Sequence, residues 1–192
     1  EWDTSTVANS FCVDSGITLG PHRLPRSNAH PYLRVANVYR ARLHLDDVAQ
    51  LQASAAEMKS KALRVGDLLL VEGHASVEEI GRCALVTEAA EGMLFQNHLF
   101  RLRAISVAPN FGLLWLNSAF VRNYWRNEAA TSSGLNTINR TKLSRLGVAL
   151  PTQSEQEAIA TCADTANAKL AAEEYALTKW QQQKSALMDD LL

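Results

Sequence analysis

Residues 151–192 read PTQSEQEAIATCADTANAKLAAEEYALTKWQQQKSALMDDLL, and this stretch decides the architecture. No Gly or Pro follows Pro151, so nothing in the run breaks a helix. Ser154 with Glu157 three positions on has the form of a capping box, in which each side chain satisfies a backbone donor of the other residue, and it predicts the helix start. Positions 159, 163, 166, 170, 173, 177, 180, 184, 187 and 191 then step alternately by four and three, the spacing of a coiled-coil seam. They are Ile159, Ala163, Ala166, Leu170, Glu173, Leu177, Trp180, Lys184, Leu187 and Leu191, eight of the ten apolar. A helix over 155–191 would be about 55 Å long, against a body roughly 30–35 Å across. The helix is therefore expected to outrun its own domain and to need a second helix along its free length. Glu173 and Lys184 would be costly against an apolar partner, but tolerable if they meet each other or water across an antiparallel pair.

Upstream of the helix the pattern changes. Residues 1–30 are polar and punctuated by Gly16, Gly20, Pro21 and Pro25, which predicts turns. Residues 32–38 form a β-prone run, and Gly66-Asp67 is a turn feeding a buried strand that ends at Val71. Residues 82–87 and 94–103 are further strand candidates, whereas 111–127 show helical spacing, with Leu113, Leu116, Phe120 and Tyr124 beside Leu114, Val121 and Trp125. Residues 131–139 read as a Thr/Ser/Gly/Asn loop and 148–151 as a short closing strand. The expected fold is α+β: a β-rich domain over 1–150, then a long-helix region over 151–192.

Of the 192 residues, 19 are Lys or Arg and 20 are Asp or Glu, a net charge of -1 that at first argues against a nucleic-acid partner. The chain is not uniform, however. Residues 1–145 hold 16 basic and 13 acidic side chains, and 146–192 hold 3 and 7, so a mildly basic body carries an acidic tail. A hydrophobic share of 47% excludes a disordered tail, and the absence of any run of about 18 apolar residues excludes a helical membrane span. Cys12, Cys83 and Cys162 are far apart, with no CxxC or zinc-ligand spacing, so no metal site is expected and the thiols are read as free and at least partly buried. Free thiols and the lack of a signal sequence make a cytoplasmic location the expectation.

The motifs of an enzyme are missing. The sequence has no GxxxxGK[ST] phosphate loop, no Gly-rich methyl-donor loop with an Asn/Asp-Pro-Pro-aromatic motif, and no GxSxG nucleophile elbow. Asp67 and Glu72 are close enough to suggest a metal-dependent nuclease, but Gly73-His74 follows where a lysine is needed. What remains is a set of side chains suited to reading DNA, because Arg forks onto guanine, Asn and Gln onto adenine, and Ser and basic groups onto phosphate. The body supplies Arg34, Asn37, Arg40 and Arg42, then His74 and Ser76, then Gln96, Asn97 and His98 with Arg101 and Arg103. Thr131, Ser132, Ser133, Asn136, Asn139, Arg140 and Lys142 complete the set. Residues 1–145 use 13 Arg against 3 Lys, a bias towards the better fork.

These motifs resemble a known family. Pro31-Tyr32-Leu33-Arg34-Val35-Ala36-Asn37-Val38, Leu63-Arg64-Val65-Gly66-Asp67-Leu68-Leu69-Leu70 and Ile80-Gly81-Arg82-Cys83-Ala84-Leu85-Val86 are similar to the target recognition domain of type I restriction–modification specificity subunits. Gln96-Asn97-His98, Thr131-Ser132-Ser133-Gly134 and Leu150-Pro151 continue the pattern in the family's order. Residues 184–192 resemble the end of the conserved helical region that follows each such domain.

The resemblance implies a non-catalytic subunit whose β-rich domain reads one half of a split double-stranded DNA target, and whose helix forms an antiparallel coiled coil. It also implies that methyltransferase and restriction subunits assemble on this scaffold, with S-adenosylmethionine, ATP and Mg on those partners and no cofactor here. Family members carry two recognition domains and two helices, so this chain is expected to be a half-subunit or a fragment. The absence of an initiator Met leans towards the fragment. In either case the seam predicts a homodimer, or pairing with the second half of a longer subunit, and a palindromic split site. The competing expectations are a small self-sufficient DNA-acting nuclease and an assembly module that reads no sequence.

Overall fold

The computed structural model describes residues 2–26, 28–128 and 136–191, the side chains of Asn136, Asp190 and Leu191 excepted. The chain opens with strand β1 (Asp3–Thr6), a single helical turn α1 (Val7–Ser10) and strand β2 (Phe11–Ser15), where the sequence pattern suggested only turns. Strand β3 (Ala29–Leu33) ends at a 3-10 turn over Val35–Asn37, so the β-prone run over 32–38 is broken. Strands β4 (Val38–Tyr39) and β5 (Arg42–Leu43) form a tight hairpin, with Ala41 in the left-handed region at φ 61°.

Strand β6 (Ala49–Gln52) precedes helix α2 (Ala55–Lys61), and β7 (Leu68–Val71) leads into the two-residue β8 (Gly73–His74). Strand β9 (Cys83–Leu85) follows. The single strand expected over 94–103 is divided at Gln96-Asn97-His98 into β10 (Leu94–Phe95) and β11 (Leu99–Ala104). The single helix expected over 111–127 is likewise two, α3 (Pro109–Leu116) and α4 (Ala119–Glu128). The break has a cause: the Asn117 amide leaves the helix to pair with β9, its Oδ1 accepting from Cys83 N at 3.1 Å and its Nδ2 donating to Cys83 O at 2.9 Å. The short β12 (Asn136–Thr137), α5 (Arg140–Arg145) and β13 (Gly147–Leu150) close the body before the long helix α6 (Gln153–Leu191).

The central sheet has the antiparallel order β2-β11-β7-β9. All four residues of β7 are buried, and their alternation feeds two different cores. Leu68 and Leu70 join Phe11, Phe100, Leu102, Phe111 and Trp125 on the face covered by the α3–α4 pair. Leu69 and Val71 join Leu33, Val38 and Phe95 on the opposite face. A strand covered on both sides needs apolar residues at every position, which is why this run had no polar alternation. The second sheet, β10-β3-β6, lies beside it with β10 parallel to β3, and Tyr32, Leu51 and Leu94 pack there in a third cluster with Ile17.

The two arginines of β11 are paired with carboxylates. Arg101, 6% exposed, donates to Ser60 O, Ala62 O and Asp14 Oδ2. Arg103 grips the buried Asp67 with two bonds of 2.7 Å, and Asp67 also accepts from Arg64 N. Arg101 and Arg103, both suggested as DNA readers, instead stitch β11 to β2, α2 and the 64–67 turn. Their burial is tolerated because each guanidinium meets a carboxylate.

Strand β1 pairs antiparallel with β13, from Asp3 opposite Leu150 to Thr6 opposite Gly147. The base of α6 is thus held against the first strand of the body. The helix starts two residues earlier than expected, since its cap is Thr152 with Glu155 rather than Ser154 with Glu157: Thr152 N donates to Glu155 Oε2 at 2.8 Å and Glu155 N to Thr152 Oγ1 at 3.4 Å. Gln156, Ile159 and Ala160 pack on the body, so Ile159 is a body contact and not a free seam position. Beyond Ala163 the helix leaves the body, with Leu170, Leu177, Trp180 and Leu187 between 57% and 71% exposed. At 39 residues it is about 58 Å long, consistent with the expected overhang. Leu191 belongs to the helix, but its side chain lies outside the described residues.

Candidate nucleic-acid interface

Some of the described candidates for recognition are brought together through strand pairing. Strand β8 pairs with β12, placing Asn136 opposite His74 and Thr137 opposite Gly73. The backbone of Glu72, just before β8, is bonded on both sides: its N–H donates to His98 O at 3.0 Å and its C=O accepts from Ile138 N at 2.7 Å. The Gln96-Asn97-His98 loop, the β8–β12 ribbon and Asn139 therefore meet, although more than sixty residues of chain separate His74 from Asn136. Between them is a concavity of about 370 Å³ lined by Val35, Glu72, Gly73, His98 and residues 137–139. His98 is exposed and its Nδ1 lies 3.1 Å from Glu72 Oε2. His74 Nδ1 accepts from Ser76 N at 3.0 Å, which leaves the ring proton on Nε2.

The 73–79 loop connects this concavity to an arginine-rich flank. Tyr39, 43% exposed, has Arg42 and Arg82 within 5.6 Å of its ring centre and the His44 ring edge-on at 5.9 Å. Arg40 donates to Glu78 O at 2.8 Å and to Asn117 Oδ1 at 3.3 Å. Its pKa is lowered by burial first and then by Arg122, one of several neighbouring cations. Arg126 pairs with Glu78 at 2.6 Å and Arg82 with Glu79 at 2.8 Å, and each partner holds the acid below its usual range. Arg40, Arg42, Arg82, Arg122 and Arg126 around two glutamates make a net positive flank, the character needed to meet phosphate.

Several suggested readers are also bonded within the body. Asn37 is 1% exposed, with Oδ1 accepting from Arg34 N and Nδ2 donating to His44 O and Asp47 O, so it holds the 34–47 loop and its amide is out of reach of a base. Arg34 is half-buried and donates to Asp47 Oδ2 at 2.7 Å. Asn139, exposed, caps α5 by accepting from Lys142 N at 2.8 Å. Arg140 donates to Val13 O at 2.7 Å, and Lys142 pairs with Glu128 at 3.4 Å. Ser76, Arg42 and His98 are exposed, and Asn97 and His74 half-buried. Ser132 and Ser133, with Thr131, lie outside the described residues, as does the Asn136 side chain.

Sequence reasoning passed over Tyr39 as a stacking centre and considered Glu72 only as a metal ligand. Asp67, its supposed partner, is committed to Arg103 and Arg64, which removes the basis of that pairing. Cys12 and Cys162 are exposed rather than partly buried; Cys83 alone is buried, and burial pushes its thiol pKa up. Among the described residues no helix is long and apolar enough to cross a membrane.

No family model matches the chain. Among curated proteins it is 30% identical over 132 residues, 68% of its own length, to the type I restriction enzyme EcoKI specificity subunit of Escherichia coli strain K12. It is 28% identical over 157 residues, 81% of its length, to the StySPI specificity subunit of Salmonella potsdam. The matches cover 28% and 34% of those proteins, so the chain spans about a third of the curated relatives' length. In fold it is similar to the HsdS subunit from Thermoanaerobacter tengcongensis, with a TM-score of 0.72 at 14% identity, over 97% of this chain and 47% of that one. A type I system S subunit from M. genitalium gives a TM-score of 0.55 at 12% identity, over 89% and 40%. A β-rich body ending in one long helix, joined to sequence similarity with two specificity subunits, makes this chain similar to part of a type I restriction–modification specificity subunit.

Proposed function

We infer that the chain is a non-catalytic DNA-specificity module that reads one half of a split double-stranded target. What carries the reading is the sequence similarity to two proteins named as specificity subunits. The local geometry supports it. The concavity at Glu72 and His98 offers directional polar groups suited to base edges, and the arginine flank around Tyr39 offers charge suited to phosphate. Residues 1–150 would be the reading domain and 151–192 the assembly helix. The exposed stripe Leu170, Leu177, Trp180 and Leu187 would pair antiparallel with a second copy or with the other half of a longer subunit. Methyltransferase and restriction subunits would assemble on that scaffold and bring S-adenosylmethionine, ATP and Mg, and the complex would act in the cytoplasm.

Selection of bound DNA from a random duplex pool, with the full chain at low salt, tests the reading. An enriched motif is expected, bipartite and palindromic if the helices pair two copies. A pool that stays random would overturn the function in favour of a pure assembly module. Cleavage of plasmid DNA by the purified chain with divalent metal alone would overturn it in favour of a nuclease.

A further inference from the structure

We propose that Glu72 is a specificity-determining residue whose carboxylate accepts a hydrogen bond from the exocyclic amino group of an adenine or cytosine on the contacted DNA strand. The inference rests on the DNA-reading function proposed above and names one residue within it. The Glu72 backbone is anchored on both sides, by His98 O at 3.0 Å and by Ile138 N at 2.7 Å, so the side chain starts from a fixed point in the concavity. His98 Nδ1, 3.1 Å away, holds one carboxylate oxygen, Oε2, and the second, Oε1, has no partner among the described residues. The Glu72 side chain is 28% exposed, open enough to be reached yet desolvated enough for a hydrogen bond to discriminate.

The chemistry limits what such a group can meet. A carboxylate repels phosphate, and the phosphate-compatible charge lies across the 73–79 loop at Arg40, Arg42, Arg122 and Arg126. In the major groove, adenine N6 and cytosine N4 are donors, whereas guanine N7 and O6 and thymine O4 are acceptors that an ionised acid rejects. Flanking side chains fit a base edge better than a backbone, since His98, Thr137 and Asn139 in the same concavity offer directional hydrogen-bonding groups. A carboxylate fixed among them supplies a veto against guanine and thymine at one position.

Random-pool selection is run on the wild-type chain, Glu72→Gln and Glu72→Ala, with thermal melts confirming that each variant folds. The wild type is expected to fix adenine or cytosine at one motif position. Both variants are expected to lose that preference by about tenfold or more, while the other positions keep theirs. Glu91→Gln, an exposed acid in the 88–92 turn, is expected to leave the whole motif intact. A motif unchanged by both Glu72 variants overturns the assignment and leaves the DNA-reading function standing. Preference lost evenly at all positions also overturns it, because that is the signature of a structural role. A wild-type chain that enriches no motif overturns the function, and this inference falls with it.

Discussion

Gln156 joins the long helix to the body, and its replacement measures how firmly the helix direction is set. The side chain is 1% exposed; Oε1 accepts from Ala108 N at 2.7 Å and Nε2 donates to Pro151 O at 2.9 Å. Gln156→Leu keeps the volume but strands both backbone groups, one of them the N-cap amide of α3. Each stranded buried group costs about 1–3 kcal/mol, offset in part by the apolar burial of leucine, for a net loss of about 2–4 kcal/mol. For a chain of this size that lowers the melting temperature by roughly 4–16 °C, readable by calorimetry. Gln156→Glu adds a sharper test. Its ionised carboxylate accepts from Ala108 N but has no proton for Pro151 O, whereas the protonated acid restores both bonds. Burial raises such a group's folded pKa above its unfolded value near about 4.3, so the restored stability is full below that value and is lost as pH rises through the folded pKa. The deficit against wild type therefore narrows from pH 8 down to pH 4. A Gln156→Leu variant melting within 2 °C of wild type, or a Gln156→Glu deficit independent of pH, would refute the reasoning.

Three other outcomes are expected. Trp180 is 71% exposed, and burying most of its roughly 150–250 Å² in a helix pair is worth about 2–4 kcal/mol per copy. Light scattering should accordingly show a dimer for wild type at micromolar concentration and a monomer for Trp180→Glu, and a monomeric wild type would count against the seam. Gly81 has φ +67°, and a Cβ there would sit 2.4 Å from Cδ1 of the buried Trp125, so Gly81→Ala should lose about 2–4 kcal/mol in urea unfolding. Glu57 is held down at about 2 by its hydrogen bond to Arg23, with the Ser54 N–H adding to it. That stabilisation is complete above the unfolded carboxylate value near about 4.3 and is lost as pH falls through about 2. Arg23→Gln should flatten the fall in stability over that window, and an unchanged acid limb would show the pair to be idle.

Local pattern was legible where a periodicity could be completed within one segment. The four-three step of the last forty residues is a property of one helix, so its length and its free apolar stripe are already present in the amino-acid order. The unbroken apolar run of β7 likewise announced burial on both faces. The Ser54–Glu57 capping box of α2 carried the same signal as the tail and was passed over, though both of its bonds are present. Strands β1 and β2 had no such signal. Asp3-Thr4-Ser5-Thr6 is polar and becomes a strand because β13 lies beside it, and no local preference encodes a partner more than 140 residues away.

The candidate site divides in the same way. The residue types suited to DNA were legible, but which of them are free was not. Asn37 and Arg101 have the chemistry of readers and spend it on backbone carbonyls and a carboxylate, because folding buries them and a buried polar group must be paired. His98, Glu72 and Asn139 become neighbours only when Glu72 bridges the β10–β11 loop to Ile138. By itself, then, the sequence determined a long helix with an unpaired apolar face, a β-rich body and its family likeness, all matters of order along the chain. Tertiary structure alone decided which polar side chains are used up inside and which face outward together, because hydrogen bonds and ion pairs form between residues that are close in space.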